Sequence, residues 1–163
     1  MKIISKSSRI SKLCDIEDSV LGSKVIVGDN SFIDSFVKIK FSGGLEDIVI
    51  GNNTYINSGT VIYSGNGIKI GNDVMIAANC TLAPTNHKYT KKNMKIIEQG
   101  FMKSKGGIII EDDVWIGANS VILDGAIIRK GCVIGAHSLV GNIELKEYGI
   151  YAGNPIKIIG ERE

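Results

Sequence analysis

The chain has 163 residues, among them 20 glycines, 2 prolines and 3 cysteines, with 44% hydrophobic and 22% charged positions and a formal net charge of +2. That length points to one domain, spanning residues 1–163. The balance excludes a disordered tract and a strongly basic nucleic-acid binder. Isoleucine and valine, at 29 and 11 copies, outweigh the 7 leucines. The β-branched residues fit pleated strands, whereas leucine is the better helix former, so a helix bundle is disfavoured.

Residues 1–20 show neither the repeat described next nor an apolar stretch like that of a secretory leader, and are expected to form an N-terminal cap. From residue 21 the chain keeps a period of six. Aliphatic residues open the units at Leu21, Val27, Ile33, Ile50, Ile56, Ile70, Ile76, Ile110, Ile116, Ile122, Ile128 and Ile134. The fifth positions are Val25, Ser31, Val37, Thr54, Thr60, Val74, Cys80, Val114, Ser120, Ala126, Cys132 and Ser138, none of them large or charged. First and fifth positions therefore read as pointing into a narrow interior.

The breaks set the architecture. The steps Ile39 to Ile50, Ile62 to Ile70 and Leu82 to Ile110 are 11, 8 and 28 residues instead of six. Three hexads separate successive breaks, so one turn takes 18 residues and has three sides. Insertions in a solenoid gather where a corner can bulge without disturbing stacked neighbours. The prediction is a three-sided parallel β-helix over residues 21–143, with every insertion at one corner and a C-terminal cap over 144–163.

The longest insertion, residues 83–107, exceeds the length expected of a passive loop. It carries His87, one of two histidines, and six lysines against the single acid Glu98, leaving 13 basic and 16 acidic residues elsewhere. A neutral imidazole is the usual general base near neutral pH. Cys80 and Cys132 take inward fifth positions and read as packing. Cys14 falls in the expected cap. An odd cysteine count without a CxxC pair fits a reducing compartment, hence a cytoplasmic protein. No apolar run reaches the ~18 residues of a membrane span. Two histidines 50 residues apart speak against a zinc site, which needs about three per site.

Several motifs occur in order: Asn86-His87, Gln99-Gly100, IEDDVWIGANSVIL (110–123), CVIGAHSLV (132–140) and AGNP (152–155). With the hexads, they make residues 27–160 resemble the hexapeptide-repeat acyltransferases, in particular the maltose, galactoside and polysaccharide O-acetyltransferases. The resemblance implies a left-handed coil, although right-handed crossovers are the general rule for parallel strands. It also implies a homotrimer, acetyl-CoA as donor, and active sites between subunits. His87 matches the catalytic histidine, and Asn57 an asparagine that binds the acceptor. Ala118 and Ala136 match positions along the coenzyme arm, Trp115 one beside that arm or at a subunit contact, and Lys157 a basic position for the coenzyme phosphates. Gly141-Asn142 stands where the family carries Thr-Lys, and Gly65 where the galactoside enzymes carry an acid. The expected activity is acetyl transfer to a hydroxyl of a sugar or polysaccharide precursor. The alternatives are N-acetylation of a nucleotide-linked amino sugar and O-acetylation of an antibiotic.

Overall fold

The computed structural model describes residues 1–42 and 46–163. Its strands stack into three parallel sheets that form the sides of a triangular coil. The first face runs from Lys2–Ile4 through Val25–Val27, Ile48–Ile50, Ile68–Ile70, Ile108–Ile110 and Ile127–Ile128 to Glu144–Leu145. The second runs from Arg9–Ile10 through Phe32–Ile33, Tyr55–Ile56, Met75–Ile76, Trp115–Ile116 and Val133–Ile134 to Gly149–Ala152. The third runs from Asp15–Ile16 through Lys38–Lys40, Val61–Tyr63, Thr81–Ala83 and Val121–Leu123 to Leu139–Val140. The coil is a left-handed parallel β-helix.

The hexad explains the stacking. On the second face Ile33, Ile56, Ile76, Ile116 and Ile134 lie in one register and are fully buried. Each such side chain contributes about 1.5–3 kcal/mol relative to exposure. The fifth-position residues are buried too, and their hydroxyls are satisfied by neighbouring coils. Ser31 Oγ donates to the Gly51 carbonyl at 2.8 Å, and Thr54 Oγ1 donates to the Gly71 carbonyl at 2.9 Å. Left-handed residues turn the first corner at Asn30, Asn53, Asp73 and Asp113, and the second at Phe36, Asn79, Asn119 and His137. Asparagine and aspartate tolerate that conformation. His137 thus serves as a corner residue.

Three expectations are corrected. The coil does not begin at residue 21, because residues 2–16 already supply one strand to each face. Ile4, Ile10 and Ile16 stand six apart and pair with Val27, Ile33 and Ile39 above them. As the end coil of the described residues they are covered from one side and stay only partly buried, which is why this stretch lacks the strict pattern. Leu21 is not inward. It is 63% exposed in the segment joining the first two coils. At the other end, residues 144–152 begin a seventh coil, and Lys157–Glu161 then folds back antiparallel on Gly149–Ala152. The insertions between Tyr63 and Ile68 and between Ala83 and Ile108 leave from the third corner, between the third and first faces, while residues 43–45 of the first insertion lie outside the described residues.

Candidate active site

The long insertion leaves the third corner after Ala83 and returns at Ile108. Its two limbs are stitched together at their base. Met102 N–H donates to the Asn86 carbonyl at 2.8 Å and Lys88 N–H to the Gly100 carbonyl at 2.9 Å, with His87 bridged to Phe101 between them. The imidazole packs on the Phe101 ring with centroids 4.7 Å apart. Gln99 closes the tip. Its Nε2 donates to the carbonyls of Lys91 at 3.1 Å and Met94 at 2.9 Å, and its Oε1 accepts from Lys91 N–H at 3.1 Å. A short 3-10 turn, Ile96–Glu98, precedes it, and all six lysines are exposed.

His87 opens into a cavity of about 290 Å³ lined by Ser42, Tyr63, Ala83, Thr85 and Phe101. Among the described residues, no Lys, Arg, Asp or Glu side chain lines it. Thr85 lies one coil above Gly65, and its Oγ1 is buried without a partner. A Cβ at Gly65 would stand 1.9 Å from that oxygen, and the residue has φ +40°. Position 65 therefore has no room for a side chain. A larger hollow of about 530 Å³ lies around the corner against the first face, lined in part by Val49, Lys69, Ser104 and Ile109. It touches none of the residues singled out from sequence.

The remaining candidates sit elsewhere on the coil. Asn57 follows the second-face strand Tyr55–Ile56, and its Nδ2 donates to the Ile76 carbonyl at 2.8 Å. Ala118 and Ala136 occupy the same second corner in later coils, half-buried and exposed respectively. Lys157 pairs with Ala152 just beyond that corner. Trp115 lies outside the second face, 49% exposed, in a ladder above Tyr55 and Met75. Gly141-Asn142 lies instead at the third corner, where Asn142 covers Gly125. One chain therefore groups Asn57, Ala118, Ala136 and Lys157 along the second corner, and His87 with Gly141-Asn142 along the third.

The thiols are poorly placed for nucleophilic work. Burial pushes Cys80 and Cys132 above the ordinary thiol range, and burial with the neighbouring Asp15 carboxylate pushes Cys14 up to about 11. Among the described residues, no three His, Cys, Asp or Glu side chains cluster as metal ligands would.

The model for the bacterial transferase hexapeptide, six repeats, matches residues 107–142. A galactoside O-acetyltransferase of Escherichia coli is 35% identical over 83% of this chain and 63% of its own length. The chain carries the hexapeptide repeat of bacterial transferases, and its similarity runs to acetyl- and acyltransferases. A probable acetyltransferase of Mycobacterium tuberculosis is 27% identical over the whole chain and 51% of its own length. The hexapeptide-repeat chain thus spans between half and two thirds of these two curated relatives. Among solved structures, a point mutant of the Bacillus cereus N-acyltransferase AntD, in complex with dTDP-4-amino-4,6-dideoxyglucose and coenzyme A, superposes with a TM-score of 0.80. It is 25% identical over 99% of this chain and 84% of its own.

The hexad did not reveal the pocket residues Ser42, Tyr63, Thr85 and Phe101. Phe101 was legible only as one of several apolar residues in a basic loop, and the others as ordinary coil or turn positions.

Proposed function

We propose that this chain is an acetyl-CoA-dependent O-acetyltransferase acting on a hydroxyl of a sugar or polysaccharide precursor. The observation that carries this reading is His87 at the mouth of a small uncharged pocket walled by Tyr63 and Phe101. An aromatic wall suits the apolar face of a sugar ring, and an imidazole suits removal of a hydroxyl proton. In the proposed step, His87 takes the acceptor proton while the acceptor oxygen attacks the thioester carbonyl. The tetrahedral intermediate then expels the coenzyme thiolate, which recovers that proton from the imidazolium. The products are an acetyl ester and free coenzyme A, with no acyl-enzyme between them.

The donor side fits the second corner, where Ala118 and Ala136 leave the coil surface open and Lys157 offers a charge for the phosphates. Asn57, Trp115, Gly141 and Asn142 complete the proposed binding set. Because His87 and Ala118 stand at different corners, the reading requires the second corner of one copy to meet the third corner of another. A closed ring of three copies does this at every junction. Three free thiols fit a reducing cytoplasm. Among the described residues, no helix is long and apolar enough to cross a membrane.

N-acylation is the second reading, favoured by the likeness to AntD. The test is release of free thiol from acetyl-CoA with a panel of sugars, amino sugars and antibiotics. Release driven only by amines overturns O-acetylation, and no acceptor-dependent release from the panel overturns the activity.

A further inference from the structure

Asp124 stands out among the buried polar side chains. It is 4% exposed and the one carboxylate among them in the described residues. Its Oδ1 accepts the Gly107 N–H at 2.9 Å, and its Oδ2 accepts the Lys105 N–H at 2.9 Å and Asn66 Nδ2 at 3.2 Å. Charge-assisted bonds of this kind are the strong ones. The donors belong to two different places. Lys105 and Gly107 are the returning end of the His87 loop, and Asn66 is the third corner two coils below.

Backbone contacts tighten the same junction. Gly125 N–H donates to the Gly107 carbonyl at 2.6 Å. Gly107 has φ +79°, and a Cβ there would lie 2.5 Å from the carbonyl oxygens of Asn66 and Gly67. The returning limb is thus seated between two corners with no room to slide.

The coil itself does not ask for a carboxylate here. In register, Ile16, Ile39, Ile62, Leu82, Ile122 and Val140 are equivalent, so the residues two further on are Asp18, Phe41, Ser64, Pro84, Asp124 and Asn142. Of the two carboxylates, Asp18 is exposed on the end coil beside Lys2, and Asp124, the buried one, belongs to the coil that receives the loop. Three residues before Lys105, Met102 is bonded to Asn86, and Lys88 is bonded to Gly100, with His87 held between. The path from Asp124 to the imidazole is therefore a short run of backbone with hydrogen bonds at both ends.

We infer that Asp124 is a positioning residue for the transfer reaction: it clasps the returning limb of the loop, and through that limb sets the placement of His87. The inference rests on His87 as the base, but the clasp itself is measured without activity.

The experiment uses the full chain as Asp124→Asn, with Asn66→Ala as the milder variant that removes one donor and keeps the carboxylate. Hydrogen exchange is followed at the Lys105 and Gly107 amides, and tryptic cleavage at Lys103 and Lys105. Loss of a charged acceptor should speed exchange at those amides about ten- to hundredfold and bring those lysines forward as cleavage sites. In the same protein, kcat should fall about tenfold or more while KM for acetyl-CoA holds, since a base displaced by an ångström loses much of its effect. Unchanged exchange in both variants overturns the clasp. Faster exchange with kcat intact, where His87→Ala is inactive, overturns the positioning role. If His87→Ala keeps parental activity, the base assignment fails, and the exchange data still judge the clasp. If Asp124→Asn does not fold, Asn66→Ala carries the same measurements with a smaller shift in the same direction.

Discussion

Replacing His87 with alanine separates chemistry from folding in this protein. The residue is exposed on a loop outside the hexad core, and its ring packs on Phe101, itself 41% exposed. A well-formed aromatic pair contributes about 0.5–1.5 kcal/mol. Two water-facing rings belong at or below the low end, so His87→Ala should cost less than about 1 kcal/mol and lower Tm by less than about 4 °C. The chemical cost is larger. General-base catalysis supplies about 10²–10⁴-fold, equivalent to roughly 2.7–5.5 kcal/mol of transition-state stabilisation. The variant should therefore lose that factor in kcat while its melting curve, particle mass and acetyl-CoA binding stay near those of the parent. The assay is thiol release with the best acceptor from the panel, beside thermal melting and light scattering on the same preparation. Retention of most of the activity refutes the base assignment. A large drop in Tm with the activity loss refutes the placement of His87 outside the folding core.

The stack of Gly65 and Thr85 gives a double-mutant cycle. Gly65→Ala puts a Cβ against Thr85 Oγ1 at a left-handed position and should cost about 1–3 kcal/mol by denaturant melting. Thr85→Ala removes a buried oxygen that has no partner and should be near neutral alone, yet recover part of the Gly65→Ala loss. Strict additivity refutes the contact. Stability should also fall in acid. The Arg129 guanidinium, helped by Lys130 N–H, holds Glu111 below its ordinary value of 4.5. The folded state then binds its proton less readily than the unfolded chain. Its contribution is complete above about pH 4.5 and is lost as pH falls through the folded value. Glu111→Gln should show a shallower decline of Tm in that window, and parallel curves for parent and variant refute the pairing.

The extent of the site that was legible in the sequence varies by residue. His87 stood out because a 28-residue step from Leu82 to Ile110 interrupts an otherwise short rhythm and carries a histidine among lysines. The first coil was legible in principle. Ile4, Ile10 and Ile16 keep the spacing, with Ser8 and Cys14 at fifth positions, but the second positions are Ser5, Ser11 and Glu17 rather than glycine. Asp124 was not legible as a clasp. Its two backbone donors lie 19 and 17 residues back, and the third donor, Asn66, 58 residues back.

The sequence alone determined the three-sided coil and the corner from which the loop emerges. A narrow interior accepts only aliphatic and small residues at fixed intervals, so each hexad writes its own inward register locally. The tertiary structure alone decided which residues meet across coils. It brought Phe101 back against His87, set Thr85 over Gly65, and parted Asn57 from His87 by the width of a face. Those relations depend on the stacking height of successive coils and on how the loop's returning limb is bonded. No spacing within a single hexad encodes either.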